Sequence, residues 1–245
     1  MRNDKDAIKI LQQSLGNIGG NLHIVETSVP IDKQMEYFNY SEKLRNNDEP
    51  RDVQELISIL EDPAATMQQL RYALSSLAIS GNVEGFRAIE KFNETHKDYW
   101  TSMALMQARM MLETELTDER QVFISTGLGG KDDKFRFFVL CKSEGLKSFS
   151  EFQRGVIENE FPYFIEKRHC VLERLSVSEK FFTILLLANL EVNIKDLIDE
   201  AIVECNQYGD FVSDSYMVTN VKVFSDEEIE NELKKNQLIN PEKPF

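Results

Sequence analysis

The sequence lacks any apolar run long enough to cross a membrane. Nowhere in its 245 residues do apolar side chains approach the ~20 in succession that a spanning helix needs. The first residues lead into alternating apolar and polar side chains, without the continuous apolar stretch and small-residue cleavage site of a secretory signal. We therefore expect a soluble protein in the cytoplasm.

Cysteine and histidine are scarce, with three of each. Cys141, Cys170 and Cys205 are far apart in sequence and match no metal-binding spacing, so we interpret them as reduced residues of the core. His23 and His96 stand near no cluster of cysteine or carboxylate residues with the spacing of metal ligands. The sequence therefore predicts neither a metal site nor a cofactor.

Positive charge is in deficit, and the formal net charge is −14 at pH 7. Residues 1–118 hold 12 Lys and Arg against 19 Asp and Glu, and residues 119–245 hold the remaining 16 against 23. Neither part has the basic excess with which proteins neutralise phosphates, so we expect no nucleic-acid partner. An anionic membrane surface would repel the chain as well. The charge is compatible with solubility and with a basic protein partner.

A phosphate-binding glycine loop is also missing. Gly127, Gly129 and Gly130 precede Lys131, but Asp132 stands where a Ser or Thr would be needed. A strand follows instead of a helix, so no helix N-terminus is predicted there to hold an anion. A hairpin turn is the better interpretation of this segment.

Helical patterns fill the first half of the chain. Amphipathic segments run from Ala7 to Ile18 and through Met35, Phe38 and Leu44, and residues 22–25 form a short strand or a connector between them. A polar break follows at residues 45–50. Later helix ends are marked by caps and turns at Asp52, Asp62-Pro63, Thr66, Gly81 and Asn82.

A further helix is predicted from about Asp98 to Leu116. It carries the single tryptophan and several methionines: Trp100, Met103, Met106, Met110 and Met111. Methionine-rich faces serve adaptable binding surfaces in some proteins, but at helical spacing such a cluster is more often gap-filling core. We favour the core interpretation.

Residues 52–95 resemble a HEAT-like helical repeat. The resemblance rests on the segment 56–63, which ends in Asp-Pro, on the helical segment 71–78, and on the turn Gly81-Asn82 that leads to Phe86. HEAT-like repeats pair antiparallel helices with an Asp-Pro turn inside the pair and a glycine turn after it. The change from helical to strand spacing near residue 118 predicts a helical domain over residues 1–118.

The second half of the chain contains an internal repeat of two similar segments. The apolar runs 134–141 and 180–187 are each followed by a capping residue, Ser148 or Asn193, and then by apolar residues at helical spacing. These residues are Phe149, Phe152, Val156 and Ile157 in the first copy and Ile194, Leu197, Ala201 and Ile202 in the second. Each copy ends in a further strand, predicted at 164–175 and 215–223.

This order of elements is the split βαβ plan of ferredoxin-like domains. We expect an α+β protein whose N-terminal helical domain is followed by a ferredoxin-like antiparallel sheet domain over residues 119–245. Residues 121–125 are predicted to add an extra N-terminal hairpin strand to that sheet. A capping box at Ser225 opens a short acidic helix that ends near Lys235, and a tail follows.

Two places in the ferredoxin-like domain are candidate ligand sites. Gly145, Lys147 and Ser148 lie in a loop between a strand and a helix, where backbone N–H groups and the helix dipole favour a small anion. Ferredoxin-like ligand-binding domains such as the ACT family have a glycine-bearing loop at this place. His169 and Glu173 share one face of a predicted strand, too far apart for an acid–base pair. A plain capped connection and a solvated sheet face are the simpler interpretations.

The sequence contains no catalytic constellation. The HEAT-like helices and the acidity favour a non-enzymatic adaptor that binds another protein. The rival hypothesis is a small-molecule-binding or catalytic ferredoxin-like domain, with the Gly145 loop and the His169 strand as its site. A deep pocket lined by Lys147, His169 or Glu173 would favour the rival, and a flat sheet face would favour the adaptor.

Overall fold

The computed structural model describes residues 22–47, 52–117 and 122–239. The segment predicted from Ala7 to Ile18, most of the polar break near residue 48 and the predicted tail lie outside these residues. The chain divides into two compact units, residues 1–127 and residues 128–245, called here the helical unit and the sheet unit. Among the described helices, none is long and apolar enough to cross a bilayer.

The described part of the helical unit contains five helices and one pair of short strands. The helices are α1 (Ile31–Asn46), α2 (Val53–Glu61), α3 (Met67–Ile79), α4 (Val83–Thr95) and α5 (Tyr99–Thr117). Helix α2 contacts α3 and α4 contacts α5, while α3 also contacts α1 and α5. The strands β1 (Leu22–Ile24) and β2 (Val122–Ile124) pair in parallel.

The ends of these helices follow the signals in the sequence. Asp52 accepts a hydrogen bond from the backbone N–H of Gln54, and Thr66 forms a reciprocal capping box with Gln69. Gly81 adopts φ +64° after α3, a conformation that costs glycine little, and the Asn82 side chain caps α4. The predicted turns of the HEAT-like segment are therefore present.

Helix α1 is buried through a face that its apolar pattern did not predict. Met35 and Phe38 are 60% and 38% exposed, whereas Gln34, Tyr37 and Ser41 are buried. The Tyr37 and Ser41 hydroxyl groups both donate to Gln107 Oε1 on α5, at 2.7 and 2.8 Å. Polar partners on α5 therefore decide which side of α1 faces inward.

The tryptophan of α5 belongs to the core of the helical unit, as predicted. Trp100 and Met103 are 7% and 1% exposed, and the rings of Tyr37 and Tyr40 meet the Trp100 ring edge-on with centroids 5.2 Å apart. The indole N–H donates to Ser75 Oγ at 3.0 Å. Burial of this large ring with its N–H satisfied fixes the packing of α3 against α5.

The sheet unit has the predicted split βαβ order. Its elements are β3 (Gly130–Lys131), β4 (Lys134–Ser143), α6 (Glu151–Lys167), β5 (Val171–Val177), β6 (Phe181–Ala188), α7 (Ile194–Asn206), β7 (Val212–Thr219) and α8 (Asp226–Ile239). The sheet runs β7–β4–β6–β5, and every neighbouring pair is antiparallel. The two repeated strands β4 and β6 are therefore neighbours, as the repeat predicted.

Both crossover helices lie on one face of this sheet. Helix α6 contacts α7 and β5, and α7 contacts β7. Phe161 of α6 meets Phe182 of β6 edge-on at 4.8 Å between ring centroids, and both side chains are fully buried. On the other face, Ile229 of α8 packs with Phe138 and Leu140 of β4.

Three predicted boundaries of the sheet unit are corrected by the structure. Residues 122–124 form a strand, but it pairs with β1, and the hairpin partner of β4 is the two-residue β3. The strand predicted from residue 164 begins only at Val171, because α6 continues through Pro162 to Lys167. The last strand runs from Val212 to Thr219 instead of 215–223.

Candidate functional site

The five site residues predicted from the sequence do not come together. Gly145, Lys147 and Ser148 follow the C-terminal end of β4, whereas His169 and Glu173 lie near its N-terminal end, because Phe135 pairs with Ala188 and Val171 pairs with Leu187. The ten residues of β4 separate the two groups by about 30 Å. A single site that joins the Gly145 loop to His169 is therefore excluded.

His169 does not lie on a strand. It adopts φ +57° just after α6, its N–H donates to the Glu166 carbonyl at 2.8 Å, and the Cys170 N–H donates to the Ile165 carbonyl at 3.0 Å. These two bonds form the Schellman motif that ends many helices. His169 therefore has a structural role as a helix-ending residue in the left-handed region.

Glu173 is held in an ion pair on the sheet. Arg136 of β4 donates through Nε to Glu173 Oε2 at 2.6 Å and through Nη2 to Oε1 at 2.8 Å. Hydrogen bonding to Arg136 holds the pKa of the Glu173 carboxyl below its usual range. Glu173 is thus a fixed carboxylate with both oxygens occupied by one guanidinium.

The Gly145 loop is a short 3₁₀ turn, Glu144–Leu146, with Gly145 at φ +62°. Ser148 donates to Glu179 Oε1 at 2.6 Å and does not cap the helix. The cap is Ser150, which forms a capping box with Gln153. The helix cap predicted at Ser148 is therefore wrong, and the cap lies two residues later, at Ser150.

Several segments of the sheet unit meet around this loop at one end of the sheet. The Ser143 N–H donates to the Lys180 carbonyl at 2.9 Å, the Phe149 N–H donates to the Glu179 carbonyl at 2.8 Å, and the Glu144 N–H donates to the Phe211 carbonyl at 2.9 Å. We call this region, residues 142–154, 177–181 and 207–211, the loop end. Its backbone is fixed by these bonds between segments distant in sequence.

Cationic side chains gather at the loop end. They are Lys142 at the end of β4, Lys147 after the 3₁₀ turn, Arg154 in the first turn of α6 and Lys180 before β6. Arg154 donates to the Val177 carbonyl at 3.4 Å. Among the described residues, no carboxylate forms a salt bridge with any of the four. These cations are available to an anion that approaches from solvent.

Two exposed aromatic rings also belong to the loop end. Phe152 is 63% exposed and Tyr208 is 53% exposed, and their rings meet edge-on with centroids 6.0 Å apart. Phe152 stands in the first turn of α6, and Tyr208 follows the C-terminal end of α7. Together the two rings leave an apolar area in water that a bound planar group could cover.

Acidic side chains reduce the positive electrostatic potential of the loop end. Four carboxylates are exposed there beside the four cations: Glu144, Glu151, Glu179 and Asp210. Glu179 already accepts a hydrogen bond from Ser148. The loop end is therefore close to neutral overall, and any anion it binds is recognised locally by individual cations and rings.

The sequence patterns had placed Phe152 in the buried face of its helix. The buried residues of α6 are Val156, Ile157, Phe161, Phe164 and Ile165. At ~100° per residue, Phe152 points about 140° away from the centre of that face. A helical wheel over all 17 residues of α6 places Phe152 on the surface, whereas the predicted helix stops before residue 164 and lacks part of the buried face.

Within residues 22–47, 52–117 and 122–239, no group of three or more His, Cys, Asp or Glu side chains is arranged to hold a metal ion. Cys141, Cys170 and Cys205 are free and buried, and burial raises the pKa of each thiol. Because the thiolate is the reactive form, burial and the raised pKa lower the reactivity of these thiols at neutral pH.

Two solved structures of transposases are similar to part of this chain. One is a protein from Deinococcus radiodurans R1 assigned as a transposase, with 15% identity and a TM-score of 0.34; the match covers 43% of this chain and 88% of that one. The other is a REP-associated tyrosine transposase bound to a REP hairpin, with 5% identity, a TM-score of 0.32, and coverage of 43% and 67%. No family model matches this chain, and neither does any curated protein.

These likenesses contradict two expectations drawn from the sequence. The chain was expected to be a non-enzymatic adaptor for another protein and to have no nucleic-acid partner, whereas the similar structures are transposases and one of them holds a REP hairpin. Both expectations are wrong on this comparison. At TM-scores of 0.34 and 0.32 the likeness assigns no activity to this chain.

Proposed function

We propose that the sheet unit binds single-stranded nucleic acid at the loop end. The observation that carries the proposal is the pair of exposed rings, Phe152 and Tyr208, with Lys147, Arg154 and Lys180 in the same region. Rings that stack on unpaired bases, flanked by cations that meet the phosphates, are the two elements of single-strand binding.

Stacking supplies the larger share of the binding free energy. A base stacked on an aromatic side chain contributes about 1–3 kcal/mol, whichever base it is. With four carboxylates in the loop end, Asp210 among them, and a net charge of −14, long-range attraction of a polyanion is weak. The ligand is therefore a short unpaired segment whose bases reach the rings, and a stacked duplex is a poor ligand because its bases are covered.

The cations give the binding a modest dependence on salt. For single strands, the logarithm of the association constant falls with the logarithm of salt concentration by about 0.7 for each phosphate neutralised. Three or four contacts from Lys142, Lys147, Arg154 and Lys180 correspond to a slope of about −2 to −3. A much steeper slope would require cations that the loop end does not have.

A binding titration of the full chain tests the proposal. Labelled single-stranded oligonucleotides and hairpins with unpaired ends are titrated with the protein, and fluorescence anisotropy is recorded. Hairpins are included because one of the similar transposases is bound to a REP hairpin. Phe152→Ala and Tyr208→Ala are each expected to weaken binding about tenfold or more, and Lys147→Ala to reduce the salt slope by about 0.7.

Tyr163→Ala is the matched control. Tyr163 is 57% exposed on the same helix as Phe152 but in its last turns, far from the loop end. Its loss is expected to leave the affinity unchanged. The proposal fails if no oligonucleotide binds saturably, or if Tyr163→Ala weakens binding as much as Phe152→Ala.

A cytoplasmic location remains part of this proposal. The three cysteines are free and buried, which suits a reducing compartment, and nucleic acid is accessible there. Fractionation of the native host, with the protein detected by antibody, checks the location.

A further inference from the structure

Helix α8 covers the face of the sheet that is opposite to α6 and α7. Phe138 and Leu140 of β4 lie on this face, and so do their partners on the neighbouring strands, Leu185 and Met217. Phe138 and Leu140 are only 1% and 4% exposed, because Ile229 of α8 packs on them. We call this side of the sheet the covered face.

Few side chains hold α8 on the covered face. Among the described side chains of the helix, Ile229 alone is buried. Leu233, one turn later, and Phe224, just before the helix, are half-buried against the same cluster. The rings of Phe224 and Phe138 meet edge-on with centroids 5.8 Å apart. An element with so few buried apolar contacts detaches at a low cost in free energy.

Helix α8 has little stability of its own. It is 14 residues long, and isolated helices of this length are marginal in water. Ser225 and Glu228 form a capping box at its start, which supports only the first turn. The later hydrogen bonds of α8 therefore depend on its contact with the sheet, and we expect the helix to unfold when it leaves.

The charge of α8 opposes a polyanion. Glu228 pairs with Lys222, and Glu230 lies 3.6 Å from Lys234, so both ion pairs stay within the helix and the segment before it. Five of the first seven residues of α8 are acidic: Asp226, Glu227, Glu228, Glu230 and Glu232. While the helix is in place, its carboxylates repel phosphates that approach the covered face.

The covered face begins at the loop end. Lys142 and Phe181 pair across β4 and β6, and Lys142 lies two residues after Leu140, so both belong to the covered face. Phe181 is half-buried and packs against the cluster that contains Ile229. Lys180 precedes it in the loop end. A chain that leaves the loop end past these two lysines therefore meets the apolar side chains under α8.

We propose that the covered face is the second half of the single-strand site, and that α8 occupies it until a long single strand displaces the helix. Bases then stack on Phe138 and Phe181, and Lys142 meets a phosphate. This inference rests on the proposed function, because it states how the same binding is regulated. A strand that reaches only Phe152 and Tyr208 leaves α8 in place, whereas a longer one releases it.

Hydrogen exchange of the unaltered full chain tests the displacement. The exchange of backbone amides is measured with the protein alone, with an oligothymidylate of about three nucleotides, and with one of about twelve, within the range of known single-strand sites. Only the longer one is expected to accelerate exchange in α8, since the displaced helix loses its hydrogen bonds. Unchanged exchange in α8 at saturation with the longer one overturns this inference and leaves the proposed function standing.

Ile229→Asn removes the main anchor of α8. Its affinity for the longer oligothymidylate is expected to rise about tenfold, which corresponds to one further stacked base, and its affinity for the shorter one to stay the same. Exchange in α8 is expected to be fast without any ligand. Asn231→Ala is the matched control, because Asn231 is exposed on the same helix and its replacement is expected to change neither affinity.

The outcomes separate this inference from the proposed function. Equal affinity of the unaltered chain and Ile229→Asn for the longer oligothymidylate contradicts the regulation by α8 but not the binding. If neither protein binds any oligonucleotide, the proposed function and this inference are both wrong. Should Ile229→Asn fail to fold, the exchange measurement on the unaltered chain decides, because it needs no variant.

Discussion

Arg136 and Glu173 are joined across the sheet by two parallel hydrogen bonds, although β4 and β5 are not neighbours in it. The Nε–Oε2 distance is 2.6 Å and the Nη2–Oε1 distance is 2.8 Å, and the pair passes over β6. Arg136 also donates through Nη1 to the Leu128 carbonyl at 2.8 Å. The pair therefore ties the edge strand β5 to the start of the sheet unit.

Glu173→Gln is expected to lower the free energy of unfolding at pH 7 by about 1 kcal/mol, the upper range for a partly exposed ion pair. The folded-state pKa of Glu173 is depressed, so its stabilising contribution is present above the unfolded-state pKa and is lost as pH falls through the folded value. Urea denaturation of both proteins at pH 7 and at pH 4 measures this. A difference in stability that grows toward low pH contradicts the ion-pair account.

The cap of α6 can be tested with two serines. Ser150→Ala is expected to cost about 1 kcal/mol of stability, because it removes the acceptor for the Gln153 N–H. Ser148→Ala removes only a surface hydrogen bond to Glu179 and is expected to cost less than about 0.5 kcal/mol. Thermal unfolding of the two variants compares them directly, and equal losses would argue against Ser150 as the cap.

His169→Gly is expected to stabilise the protein by about 0.5–1 kcal/mol. His169 occupies the left-handed region at φ +57°, where glycine has no penalty from a Cβ atom. His169→Val, with a β-branched side chain at the same place, is expected to destabilise it by more than about 1 kcal/mol. Chemical denaturation gives both values, and a loss of stability in His169→Gly would show that the imidazole makes a contact that matters.

The prediction of α6 failed for a physical reason. Pro162 cannot donate a backbone hydrogen bond and usually ends a helix, whereas the repeat predicts a strand from residue 164. In the structure, Phe161, Phe164 and Ile165 are buried under this helix, and that burial outweighs the lost bond at Pro162. Propensity and breaker rules are local, and here packing against the sheet overrides them.

The sequence predicted best those parts of the fold that depend on interactions between residues close together in the chain. The repeat of strand and helix gave the order of the sheet unit, and Asp52, Thr66 and Asn82 marked helix starts through side chains that bond within three residues. The candidate surface depends on exposure instead. Phe152 and Tyr208 are 56 positions apart in the sequence, and no local pattern places them side by side.

The sheet unit is expected to fold without the helical unit. Residues 128–245 form a compact unit with their own sheet and two apolar layers, and the predicted boundary after residue 118 lies nine residues before the boundary after residue 127. Expression of this segment alone, followed by a thermal melt, is expected to give one cooperative transition. A segment that is disordered alone would show that the two units share one core.

The most direct test of the proposed function is a map of where nucleic acid touches the full chain. Isotope-labelled protein is titrated with a short single-stranded oligonucleotide, and the backbone amide resonances are followed by NMR. The largest shifts are expected at residues 142–154, 177–181 and 207–211, with little change near Lys134 at the opposite end of the sheet. Shifts confined to that opposite end or to the helical unit, or no shifts at all, would contradict the proposal that the loop end binds single-stranded nucleic acid.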